Sequence, residues 1–373
     1  MTARAKQDED RLARFVLDRV LSLRPGDHVT VETWSHALPW ARSLVVEARR
    51  RHADPTLVVE DEEAFFRSLS LPSARRLPVP SAALADSSDA YVYLAGPEAF
   101  HRLFGLAASE LESVLARHDL AWARAARRAR LPAVRLLIAG ATPAAAARYG
   151  VEPAVWRRDL VRASLVPPEQ LARAADRLRR RLARTRRLRI RHPNGTDLSV
   201  ELEPNRAVVE IGQVARTHRP PGRIWTQLPT GVVAFPLVAG FAEGLWEANR
   251  PSYDRFANPP VGEGARFVFA RGRLREYSFD RGGRAFAAAY SRGGRGRDVP
   301  GALTFGLNPA IGRVPEVEEL AADAVGLALG GNRAVGGRNR SRFSYLSVLR
   351  GAEVEVEGTS RSATARRTRY RTG

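Results

Sequence analysis

Residues 12–32, LARFVLDRVLSLRPGDHVTVE, hold the passage from helix to strand that decides the fold class. Leu12, Phe15, Val16, Val20 and Leu23 recur at helical spacing, and Pro25-Gly26 stops the run. HVTVETW, 28–34, then alternates like a strand. Working outward, a helix is expected over about 37–52, and PTLVVE, DAYVYLAGP (89–97) and AVRLLIAG (133–140) read as further strands. Strands alternating with helices predict a parallel α/β sheet in an N-terminal domain, 1–165. An arginine-faced connecting helix is expected over 166–188. From Ile190 the texture changes to strands with Gly and Pro turns (RIRHPNGTDLSVELE, RFVFARGRLREYSFD, AEVEVEG), predicting a strand-rich α+β C-terminal domain, 189–358. Residues 359–373 read as a basic tail.

The chain has 373 residues, 44% hydrophobic and 27% charged, a globular balance with room for two cores. It contains no cysteine, which removes disulfides, thiol nucleophiles and thiolate metal sites together and fits a cytoplasmic protein. The first residues lack the apolar core of a signal peptide, and the longest uncharged run, 224–242, is broken by Pro229, Gly231, Pro236 and Gly240, so it reads as strand and turn rather than a membrane span. Net charge is +20, and of the 60 basic residues only Lys6 is lysine. Such a surface is either plain solvated arginine or a partner for acidic groups, because the guanidinium fork pairs carboxylates and phosphates bidentately. With no lysine in the body of the chain, neither a Walker loop nor a Schiff base can be built there. GGRGR, 293–297, lacks the third glycine of a dinucleotide fingerprint and reads as a loop.

In order along the chain, LARFVLDRVLSLRPGDHVTVE, SSDAYVYLAGP, HPNGTDLSVEL, LPTGVVAFP, FGLNPAIG, EELAADAVGLALGGN and GGRNRSRF resemble the M29 metallopeptidases, the aminopeptidase T type, and their relatives the dihydroxypyridine dioxygenases. The resemblance implies an M29-like fold over nearly the whole chain, with the metals held in the C-terminal domain, and a homodimer. It also implies metal ligands at places where this sequence departs from the pattern: Val232 and Ala302 for glutamates, Gly326 and Ser344 for histidines, Arg333 for a tyrosine and Leu346 for an aspartate. Independently of any alignment, all seven histidines precede residue 219, so beyond it carboxylates are the only strong ligands, whereas zinc and non-haem iron sites ordinarily use imidazole.

The expectation is therefore a catalytically inactive relative that binds no metal or other cofactor and holds an acidic peptide in the ancestral cleft. Asn332, Arg333, Arg338, Arg340, Arg342, Phe343 and Tyr345 are its expected peptide-binding residues, arginines for carboxylates and aromatics for stacking area. By resemblance, degenerate peptidases of this kind serve ribosomal-peptide natural-product pathways, crocagin biosynthesis being the nearest case. The rival reading is an enzyme, hydrolase or oxygenase-like, with a relocated site in the N-terminal domain that uses His28, Glu32 or His36; the plain alternative is strand-end polar decoration. His192 before Asn194-Gly195-Thr196 reads as a turn residue. Nucleic acid is disfavoured as a partner because no recognised binding motif is present, and no membrane partner is expected.

Overall fold

The computed structural model describes residues 3–69, 71, 79–94, 96–99, 102, 126–214, 225–251, 253–254, 262–357 and 368–371. His101, His118, His218 and most of the 359–373 segment lie outside the described residues. The chain divides into two compact units, one of Met1–Pro168 with Ile211–Thr230, the other of Glu169–Glu210 with Gly231–Gly373. The helix expected to connect domains runs Pro168–Leu182 and falls in the second unit, and the segment 211–230, expected in the C-terminal domain, falls in the first.

In the first unit the opening helix, Ala3–Phe15, continues as a π-turn through Val20, and Gly26 takes a left-handed φ of +81° to turn the chain into a strand. The strands that follow are β1 (His28–Trp34), β2 (Asp54–Glu60), β3 (Ala90–Leu94) and β4 (Ala133–Leu136). The chain then leaves for β5 (Arg187–Arg191), β6 (Asp197–Leu202) and β7 (Val208–Glu210) of the second unit and returns as β8 (Trp225–Leu228). The parallel sheet has the order β2-β1-β3-β4-β8. Helix Leu38–Arg50 packs on β1 and β2 and buries Ala41, Leu44 and Ala48, an i, i+3, i+7 stripe.

The second unit is built on β9 (Val232–Glu247), which also pairs with β6 and β7. Beyond it come β10 (Tyr253–Asp254), β11 (Arg266–Ala270), β12 (Arg273–Ser278), β13 (Pro300–Gly306), β14 (Ala324–Gly330), β15 (Ser344–Arg350), β16 (Glu353–Glu357) and β17 (Thr368–Arg371). The sheet path is β10-β15-β14-β13-β9-β6-β5-β16-β17, with β11 also on β9 and β12 on β11. Gly244 lets β6 cross β9 closely: its φ is +112°, and a Cβ there would overlap the Asp197 carbonyl. The stretch read as a free tail contains β17, antiparallel to β16 with Arg369 opposite Glu355. No helix among the described residues is long and apolar enough to cross a membrane.

Candidate functional site

Five of the six places at which the resemblance implies metal ligands lie on one sheet face. Ala302, Ala328 and Leu346 stand opposite one another across β13, β14 and β15, and the next rung is Ala234, Thr304, Gly326 and Val348. Side chains of alternate residues share a face, so Val232 and Ser344 join them. The face is sealed by packing: Ala302, Thr304, Ser344, Leu346 and Val348 are all buried. A Cβ on Gly326 would overlap the Thr304 hydroxyl and sit 2.9 Å from a Leu346 methyl. Val, Ala, Gly and Leu offer no metal donor and Ser a weak one, so these residues do not fit the family's metals. Among the described residues, no cluster of three His, Cys, Asp or Glu could hold an ion.

Arg333 stands off the sheet, in the 3-10 turn Arg333–Val335 of the segment that joins β14 to β15. The glycine-rich texture of that segment has an internal reason. Buried Asn332 donates its amide to the Gly301 carbonyl at 2.7 Å and accepts from the Asn339 backbone N–H at 2.8 Å. Asn339 donates to the Gly296 carbonyl at 2.8 Å and accepts from the Ser341 N–H at 3.0 Å, and the Ser341 hydroxyl donates to the Gly293 carbonyl at 2.8 Å. Gly337 and Gly331 are small because a Cβ would overlap, respectively, the Asn332 side chain and the Ser341 carbonyl. The loop is thus clasped by three polar side chains, two of its own segment's glycines and the loop at 293–297.

Asn332, Phe343 and Tyr345 are spent on the interior. Phe343 and Tyr345, each 2% exposed, face away from Ser344 and Leu346 into an aromatic cluster: Phe286, in helix Gly283–Arg292, lies 5.5 Å from Phe343 and 4.8 Å from Tyr345. They offer no stacking surface to a ligand. Arg333, Arg338, Arg340 and Arg342 are all exposed, and residues 324–352 contain no Asp or Glu.

His28, Glu32 and His36 are not brought together in one cluster. His28 pairs through Nε2 with the Thr56 hydroxyl at 2.9 Å at one end of β1, and His36 donates Nε2–H to the Ala139 carbonyl at 3.0 Å beyond the other. At about 3.3 Å per residue the two ends are roughly 20 Å apart. Glu32 lies between them, buried, and accepts the Tyr91 hydroxyl. Burial, and after it the Glu32 charge, push the neighbouring Tyr93 hydroxyl up to about 12. His192 is a turn residue: its Nδ1 accepts the Asn194 N–H at 3.1 Å.

No family model matches the sequence, and no curated protein matches it. Two solved structures are similar in fold. Wild-type AmpT from Thermus thermophilus superposes with a TM-score of 0.72 at 19% identity, covering 98% of this chain and 97% of its own. The 2,5-dihydroxypyridine dioxygenase from Pseudomonas putida KT2440 gives 0.54 at 16% identity, covering 95% of both chains. With its parallel sheet, its antiparallel strand-rich sheet and this coverage, the chain has the AmpT-like, M29-type fold.

Proposed function

We propose that this protein is a metal-free, non-catalytic peptide-binding protein on a metallopeptidase scaffold, and that it holds an acidic precursor peptide in ribosomal-peptide natural-product biosynthesis. The observation that carries the reading is the clasped loop 331–343, which presents Arg333, Arg338, Arg340 and Arg342 to solvent in a stretch without carboxylates. A held backbone lowers the ordering cost of binding, and arginine forks suit carboxylates. The fold supplies the scaffold, and a sheet face that offers only the weak hydroxyl donors of Thr304 and Ser344 supports the loss of catalysis. The pathway is carried by the sequence resemblance.

The test is calorimetric titration with a hexaglutamyl peptide at physiological ionic strength. A desolvated arginine–carboxylate contact is worth about 1.5–3 kcal/mol and an exposed one about 0–1 kcal/mol. Arg333→Ala should weaken binding about ten- to hundredfold, while Arg49→Ala, on an exposed helix face of the first unit, should change it by less than about threefold. Equal effects of the two substitutions would mean a generally basic surface and no peptide site.

A further inference from the structure

The clasp joins two arginine-bearing segments, and only one of them belongs to the loop discussed so far. Asn339, flanked by Arg338 and Arg340, bonds to Gly296, flanked by Arg295 and Arg297. Ser341, flanked by Arg340 and Arg342, bonds to Gly293, which follows Arg292. Glycine permits the approach: a Cβ on Gly296 would lie 2.6 Å from the Asn339 amide oxygen, and one on Gly293 would overlap the Phe343 Cβ. We propose that these segments form one arginine platform, Arg292, Arg295 and Arg297 beside Arg338, Arg340 and Arg342, with Tyr277 as its aromatic edge. It would take an extended acidic peptide that carries an aromatic residue next to its carboxylates. The proposal rests on the acidic-peptide reading above and adds half of the surface and a sequence preference to it.

The charge balance is one-sided. Residues 282–300 contain a single carboxylate, Asp298, and it is paired with Arg273 at 2.6 Å. Arg297 is held in place, its guanidinium 4.8 Å from the Tyr290 ring centroid and bonded to the Ser291 carbonyl at 3.1 Å, so it loses less freedom on binding than a free side chain. Tyr290 is stacked on Phe286 at 5.5 Å and 15° and covered by Arg297, whereas Tyr277, 5.7 Å from Tyr290, is 40% exposed. One exposed ring suits one side chain of a peptide. Single-stranded nucleic acid, which gains its affinity from successive bases on several rings, finds no such row here.

The experiment compares two labelled peptides, hexaglutamyl-phenylalanine and hexaglutamyl-alanine, by fluorescence anisotropy on the full chain at physiological ionic strength. Arg295→Ala/Arg297→Ala and Arg338→Ala/Arg340→Ala should each weaken both peptides by about tenfold or more. Arg295→Glu, at an exposed side chain, should do the same without touching the Tyr290 stack. Tyr277→Ala should abolish the preference for the phenylalanine peptide, about three- to tenfold in the unmodified protein. If both the Arg295/Arg297 pair and Arg295→Glu bind as the unmodified protein does while Arg338/Arg340 fails, the platform is wrong and the single-loop reading survives. Equal affinity for the two peptides in the unmodified protein refutes the aromatic preference. Tighter binding of a DNA duplex than of either peptide, or no peptide binding at all, overturns both readings.

Discussion

Asn332→Ala is expected to be among the more damaging single substitutions in the second unit, because it removes the centre of the clasp. The side chain, 6% exposed, makes the 2.7 Å bond to the Gly301 carbonyl and the 2.8 Å bond from the Asn339 N–H. The bond from the Asn339 N–H contributes about 0.5–1.5 kcal/mol net, and leaving the Gly301 carbonyl buried without a donor costs about 1–3 kcal/mol, so a loss of about 1.5–4.5 kcal/mol follows. Urea unfolding measures the total, and amide exchange in residues 293–343 assigns it to this region. Asn332→Asp separates the donor from the acceptor. It keeps the acceptor for Asn339 but turns a carboxylate toward the Gly301 carbonyl, and burial beside that carbonyl raises the folded pKa of the new side chain above its unfolded value. Stability is then present below the unfolded value and lost as pH rises through the folded one, so this variant should be least impaired near pH ~3 and fail near pH ~7. Arg333→Ala, next along the chain, should stay within about 0.5 kcal/mol of the unmodified protein. If Asn332→Ala did the same, the clasp would not organise the loop and the account of its glycines would be wrong.

Three further outcomes follow from the same contacts. Gly326→His, which would return an imidazole to one implied ligand place, should destabilise by about 1–3 kcal/mol or more, since even a Cβ overlaps Thr304; a variant of unchanged melting temperature that binds zinc would refute the sealed-face description. The Arg189 hydrogen bonds, at 2.6 and 2.5 Å, hold the Asp197 carboxyl below its ordinary value; the group therefore stabilises above the unfolded pKa and loses that contribution as pH falls, so Asp197→Asn should cost at most about 1 kcal/mol at neutral pH and progressively less as pH falls below the unfolded value, as urea titrations at neutral and acid pH would show. Burial raises the Glu318 carboxyl against the opposing pull of Arg250, so its stabilising share is present below the unfolded pKa and lost as pH rises; Glu318→Gln should flatten the fall in stability from pH ~4 to ~7, and an unchanged pH profile would contradict the assignment.

Much of the fold is legible because local periodicity carries it. Leu12 to Val20 and the alternation from His28 to Trp34 read directly as helix and strand, and the two stretches from Ile190 onward become β5–β6 and β11–β12. The return of Trp225–Leu228 to the first sheet is illegible because an edge pairing made from far along the chain leaves no local signal. Arg369 looks like tail because Thr368–Arg371 is too short and too basic to read as a strand. In the candidate site the arginines are legible by type, whereas their support is not. GGRNRSRF has the glycine and polar texture of a loop, but its last residue leads into β15, where alternation carries Phe343 and Tyr345 inward. The bonds from Asn339 to Gly296 and from Ser341 to Gly293 span more than forty residues, so nothing in either segment announces the other.

The central claim is that an acidic peptide binds the arginines carried by the clasp. Photo-crosslinking of a hexaglutamyl peptide bearing a benzoylphenylalanine, read by mass spectrometry at physiological ionic strength, tests it most directly. The account predicts crosslinks concentrated in residues 277–297 and 333–342 and competed away by unlabelled peptide. Crosslinks spread evenly over exposed arginines elsewhere, such as Arg177, Arg180 and Arg181 of the helix Pro168–Leu182, would contradict it.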